Sequence, residues 1–484
     1  MTSDDRDTGT RPAPGGPDPA DRIRGFLEDS RPDLLAQLGE WVRIPSVAGS
    51  ERDPALARSA HWLAGALRDL GFPRAEVWQA GDSPAVFAEW ITDPAAPTVL
   101  VYSHHDVRAV KEQNWDETAP FEPVQRDGRL YGRGASDAKG QIVAHLWGLR
   151  AHLQGRDAPA VNLRFLVEGE EELGSPSLAA LLEERAGELG ADLVVFSDTL
   201  LWRADAPALC TSVRGMISAH IEVFGPLKDI HSGAASGPAP NPALELARLV
   251  GSLLDEEGRI ALPRFYDDVA PVREDRRREL AELPFDEGDW VRRSHTRAVT
   301  GERGYTVLER LWLRPSAEVI SLIAGDPIGP TRAAIPAVAA ADISVRFVAG
   351  QRPDRIAEQI RGWVSAGLPD SVEVEVQVAE ETAQLPYETP PGPWLDALDS
   401  AMRRGFHSPS VGRMGNAGGG PAELLAREVG APVLFFGTGL IEDDWHDSDE
   451  SVRIVTLIDG AATIAHLWDE LSRALAEQRE EKPD

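Results

Sequence analysis

The sequence predicts an α/β protein: a two-sided sheet domain interrupted by a smaller α+β domain. Three observations predict it. Short apolar runs alternate with stretches of helical periodicity over about the first 210 residues. That texture changes after Arg214-Gly215 and returns after the Pro-rich turn at 389–393. The clusters of His, Asp and Glu follow directly on apolar runs, where the carboxyl ends of strands in an open α/β sheet present ligand-binding groups.

Taken in order, residues 1–20 are polar and acidic with no apolar signal region, and predict a disordered extension. Ile23, Phe26, Leu27, Leu34, Leu35, Leu38, Trp41 and Val42 recur at helical spacing and predict a helix over 21–44. A second helix is expected over 54–70. Strands are expected at 85–90, 98–102, 161–167 and 193–196, with helices over 138–153 and 176–186 between them. A strand over 216–224 opens the second texture, and a Gly/Pro-rich stretch and a helix over 243–254 follow. Residues 263–315 are charged and read as helical insertions. Strands at 318–323, 339–348 and 372–378, with a helix near 353–366, complete the smaller domain. The first pattern resumes with a helix over 394–405, a Gly-rich loop, a strand at 432–436, a His-containing loop and a long helix over 452–477. The division is therefore 21–213 with 386–484 for the larger domain and 214–385 for the smaller.

The chain has 484 residues, 42% of them hydrophobic, and a formal net charge of −30. A surface this acidic repels phosphate backbones and anionic membranes, so neither nucleic acid nor membrane is expected as a partner. No run approaches 18 uninterrupted apolar residues. The single cysteine, Cys210, forms no intrachain disulfide and lies in an apolar context that suits a buried side chain. A cytoplasmic location is the expectation.

Five clusters carry chemistry. Ser103-His104-His105-Asp106 supplies an imidazole with a carboxylate two residues on, which can fix its tautomer for metal binding; alone, paired histidines are often incidental. Asp137 follows the glycines Gly132 and Gly134, and by itself reads as a helix N-cap. Glu168, Glu170, Glu171 and Glu172 crowd four acids into five residues, which a cation would compensate and which an exposed turn would also tolerate. Asp198 after the run 193–196 reads alone as a turn residue, and His446 in Trp445-His446-Asp447-Ser448-Asp449-Glu450 reads alone as a loop histidine. Together they form an ordered set, each just beyond an apolar strand. Two His with several carboxylates and no thiolate suit divalent zinc, manganese or cobalt. No G-x-S-x-G elbow is present for a serine nucleophile.

At these residues the sequence resembles the di-metal peptidases that include carboxypeptidase G, aminoacylase and succinyl-diaminopimelate desuccinylase, and in particular the cytosolic non-specific and carnosine dipeptidases. The ordered match YSHHDV, DGRLYGRGASDAKG, EGEEELGS, FSD, HSG, NP and HDSDES carries the resemblance over about residues 22–472. It implies two divalent metal ions, zinc foremost, and hydrolysis of a small peptide such as a dipeptide. By this resemblance His104 and Asp198 ligate one metal, Glu172 and His446 the other, and Asp137 bridges them. Asp106 orients His104 and Glu171 is the general base. The smaller domain resembles a ferredoxin-like lid that also makes a homodimer. Its His231 would stabilise the oxyanion from the neighbouring subunit, and its Arg346 would hold a substrate carboxylate. His105 falls at the variable position of the motif and is not counted. The substrate loop departs from the family: Ala417-Gly418-Gly419-Gly420 lacks the usual serine, so Asn416 or Arg413, with Gly418 and Gly419, would line that subsite. A deacylase or desuccinylase using the same metals is the alternative, and a non-catalytic binding protein on this fold a more distant one.

Overall fold

A computed structural model describes residues 19–49, 54–111, 114–326 and 332–481. The extension expected at 1–20 lies outside them apart from its last two residues, which begin the first helix. No helix among the described residues is long and apolar enough to cross a membrane.

A six-stranded sheet runs in the order Arg74–Ala80, Ser83–Trp90, Asn162–Glu168, Thr98–His104, Leu193–Phe196 and Val433–Phe435. The last four are mutually parallel and the first two form an antiparallel edge. The parallel strands read as continuous apolar runs because both faces are covered. Val99, Val101, Leu163 and Phe165 point to one core, which they share with helices Arg31–Val42, Pro54–Leu70, Lys139–His152, Pro393–Gly405 and Ile454–Glu481. Leu100, Tyr102, Leu166 and Phe196 point to the other, under helices Leu178–Glu184 and Ala422–Val429. The helix expected over 21–44 is two, Pro19–Asp29 and Arg31–Val42, because the chain turns at Ser30 and Pro32 starts the second. The stretch at 176–186 likewise divides into Leu178–Glu184 and Ala186–Leu189. The sequence reading omitted two parallel strands, Ala208–Val213 and Gly412–Asn416, which pair in a small sheet with Tyr387–Glu388.

The second layer is a four-stranded antiparallel sheet in the order Ser316–Ala324, Val338–Phe347, Gly215–Phe224, Glu373–Val378. Helices Pro242–Gly251 and Pro353–Gly367 cover one face through Leu246, Leu249, Ile356 and Ile360. The chain order β-α-β-β-α-β with this strand order is ferredoxin-like. The charged stretch at 263–315 holds helices Glu274–Glu282, Glu287–Arg293 and Val307–Trp312. Their Leu280, Leu283, Leu308 and Trp312 pack into the second core of the large sheet. The chain therefore passes between the two layers four times, near 214, 270, 314 and 386.

Candidate metal centre

The polar clusters gather at the carboxyl end of the parallel strands. His104 closes its strand, with Nδ1 3.3 Å from the Asp106 carboxylate. Asp106 also accepts from the backbone amides of Glu171 (3.3 Å) and Glu172 (3.0 Å), so one buried carboxylate fixes both the imidazole and the acidic turn. His104 Nε2 lies 3.1 Å from Asp137 Oδ1 and 3.8 Å from Asp198 Oδ1. The other Asp137 oxygen lies 3.1 Å from His446 Nε2, which is 3.2 Å from Glu172 Oε2. Two groups able to hold a metal ion result, His104–Asp137–Asp198 and Asp137–Glu172–His446, and they share Asp137.

The surroundings explain how the loops hold these positions. Glu450, fully buried, accepts from the amides of Gly134 (2.9 Å), Ser136 (3.0 Å) and Asp137 (2.9 Å) and from Arg133 Nη1 (2.7 Å). Ser136 accepts from Trp445 Nε1 (2.8 Å) and donates to Asp443 (2.7 Å), tying the Asp137 loop to the His446 loop. His446 itself has φ +64°, a left-handed backbone that costs energy in a non-glycine residue and places its ring over Asp137.

The charge pattern fits cations. Burial works against a protonated His446, yet the hydrogen bonds to Asp137 and Glu172 raise its pKa to about 10. His104 is raised in the same way by Asp106, Asp137 and Asp198 against burial. Both histidines thus sit in an excess of negative charge, which hard or borderline divalent ions with N and O ligands satisfy. Burial, reinforced by Asp198, raises Glu171 well above the usual carboxylate range.

Around this centre stands a second group. Burial lowers Arg346, and Glu171 is the carboxylate that opposes the shift. Its Nη1 is buried with no hydrogen-bond partner. A Cβ on Gly419 would lie 3.2 Å from that nitrogen and 2.1 Å from Gln384 Oε1, so a side chain there would push these two side-chain ends aside. Asn416 Oδ1 accepts from the Gly418 amide (3.0 Å). Arg214 donates to the Ala417 carbonyl from Nε (3.3 Å) and Nη2 (3.1 Å). His105 points away, with Nε2 2.9 Å from the Pro84 carbonyl. His231 is apart: it is exposed on the smaller layer, with Nδ1 3.3 Å from the Ala333 carbonyl. Glu450, Arg214 and Gln384 carry no sequence signal that separates them from their polar neighbours; burial alone singles out Glu450 among the acids of 447–450.

An α/β sheet with two His–carboxylate groups joined through one aspartate is the arrangement of a binuclear metallohydrolase. The chain belongs to Peptidase family M20/M25/M40, whose profile matches residues 100–470. It is 31% identical over 480 residues to a Beta-Ala-His dipeptidase of Mus musculus, covering 94% of this chain and 96% of that one. It is 27% identical over 467 residues to the Cys-Gly metallodipeptidase DUG1 of Candida albicans, covering 90% and 94%. The fold superposes on human carnosine dipeptidase 1 with a TM-score of 0.84 at 26% identity, over 94% of this chain and 99% of that one.

Proposed function

We propose that this chain hydrolyses the amide bond of dipeptides at a pair of zinc ions. The observation that carries the reading is the Asp137 carboxylate, which offers one oxygen to each histidine-centred group. The ligands would be His104 and Asp198 on one side, Glu172 and His446 on the other, with Asp137 between. When bound, the two cations supply Lewis acidity, polarising the scissile carbonyl and acidifying a water. Glu171 takes the proton of the attacking water on its carboxylate and hands it to the leaving amine. Asp106 keeps the His104 tautomer fixed throughout. Arg346, with the Asn416, Gly418 and Gly419 loop, holds the substrate carboxylate through its unpaired Nη1. The dipeptide-cleaving relatives support this substrate class over acyl amino acids.

The ferredoxin-like layer acts as a lid and joins two subunits. Its edge strand Ser316–Ala324 leaves Ile320 67% and Leu322 50% exposed, an apolar edge that a second copy would cover. His231 would then stabilise the oxyanion of the neighbouring subunit's reaction.

The test is to strip the protein with chelator, reload it with zinc, manganese or cobalt, and assay dipeptides beside N-acyl amino acids. Metal-restored dipeptide cleavage is expected; cleavage of acyl amino acids alone would move the chain to the deacylases. Glu171→Gln is expected to keep two metals per chain while turnover drops about 100- to 10,000-fold. Unchanged turnover in that variant would remove Glu171 from its role.

A further inference from the structure

One cavity touches all four passages between the layers. Its volume is about 200 Å³, the space of about seven waters. It is lined by residues 212–214, 270–273, 312–313 and 386–388, one segment from each passage, and by Val348 and Ala349 just after the strand Val338–Phe347. Val213, Val272, Trp312 and Tyr387 give it apolar walls. Its charged lining is Arg214, Arg273, Arg276 and Glu388, three guanidinium groups against one carboxylate.

These arginines are unequally satisfied. Arg273 pairs with Glu388 at 2.8 Å and with Asp275 at 3.3 Å. Arg276 gives Nη1 to Glu279 at 2.5 Å, while its Nη2 is buried with no hydrogen-bond partner and the residue is only 7% exposed. Arg214, also buried, donates to the carbonyls of Ala417 and Arg314 and to the Ser316 hydroxyl, all of them neutral acceptors. An unused buried N–H is costly, and an incoming anion would supply its acceptor.

We propose that this cavity among the four passages binds a small organic carboxylate with an apolar or aromatic body, and that its occupancy alters turnover by setting how the passages bend between the layers. The anion answers the unused Arg276 Nη2 and Arg214, whose acceptors are all neutral, and the body fills the space between Trp312 and Tyr387. Arg214 is the link to the reaction site, since it lines the cavity and also holds the Ala417 carbonyl of the substrate loop. A ligand wedged among all four passages favours the layer angle that fits it, which is the condition for coupling two sites.

Phenylacetate is the probe, titrated calorimetrically into the metal-loaded full chain. Binding is expected in the range of about 1 mM or tighter. It should weaken at least about tenfold in Ala349→Trp, which fills the cavity from its rim, and persist in Arg346→Ala, which removes the proposed substrate arginine. Val272→Trp fills the same space from the passage near 270 and serves if Ala349→Trp fails to fold. Binding that survives filling, vanishes in Arg346→Ala, or is absent at about 10 mM overturns the site. The binding arms do not depend on the hydrolase reading. The turnover arm does: phenylacetate should change kcat in the unmodified protein and leave Ala349→Trp unaffected. Binding with no change in kcat, in a protein shown to cleave dipeptides, overturns the coupling.

Discussion

Glu450 gives its two oxygens to four donors on the loop that carries Asp137. Hydrogen bonds to a buried carboxylate contribute about 1.5–3 kcal/mol each. Glu450→Gln turns an N–H₂ toward donors, so the loop should loosen and Asp137 lose its aim. Metal affinity is expected to fall about 10- to 100-fold, measured by chelator competition, with the fold intact by circular dichroism. Unaltered affinity would make Glu450 a bystander. His145 makes a second prediction. It is fully buried, its Nε2–H donates to Ser197 Oγ at 2.8 Å, and the rings of Phe165 and Trp468 flank it. Burial lowers its pKa from 6.5 to about 3. Below pH 6.5 the unfolded chain takes up a proton that the native one refuses. The stability is therefore whole above 6.5 and drains as pH falls toward 3, by up to roughly 5 kcal/mol. The urea midpoint should drop between about pH 7 and pH 4.5, and drop less steeply in His145→Gln. Equal slopes would exclude His145. At this scale residue types and strand ends marked the clusters, and the resemblance to the di-metal peptidases picked His104, Asp137, Glu172, Asp198 and His446 out of them. The sequence could not show Glu450, Arg214 or Gln384, whose importance lies in burial and in partners far along the chain.

Elements were legible where periodicity was strong. The helix at 54–70 and the strand at 193–196 coincide with Pro54–Leu70 and Leu193–Phe196. Arg74–Ala80 and Gly412–Asn416 were missed because charge and glycine mask an alternation that only pairing with neighbours makes stable. Packing between elements depends on small residues. A Cβ on Gly148 would meet the Ala461 carbonyl and Ile464 at 2.7 Å, so the helices Lys139–His152 and Ile454–Glu481 are held close at that point. Gly148→Leu should force them apart and cost about 1–3 kcal/mol, read as a lowered Tm. A Tm equal to that of the unmodified protein would mean that the helices slide freely to admit the side chain.

At the scale of the whole molecule, the proposed dimer makes a prediction that neither subunit makes alone. Each site would use its own Glu171 and the other copy's His231. Glu171→Gln and His231→Ala should each be inactive, yet mixing and reassociating them should restore about a quarter of full activity, because half the dimers are mixed and each holds one complete site. No recovery in a demonstrated mixed dimer would place His231 outside the reaction. The change of texture at 214 and 386 was plain in the sequence. The return of residues 274–313 to the large sheet was not, since amphipathic helices do not announce which core receives them.

That return makes the smaller layer two inserts and not one, entering near 215–268 and again near 316–384. The layers are stitched together by four threads. A protease that cuts one thread leaves three, so a nicked chain should run as fragments in detergent while keeping its native mass. Anyone wishing to transplant the lid between relatives would have to lift out both pieces together, because the first carries the single strand Gly215–Phe224 that joins Val338–Phe347 to Glu373–Val378, and the second carries the other three strands of that sheet.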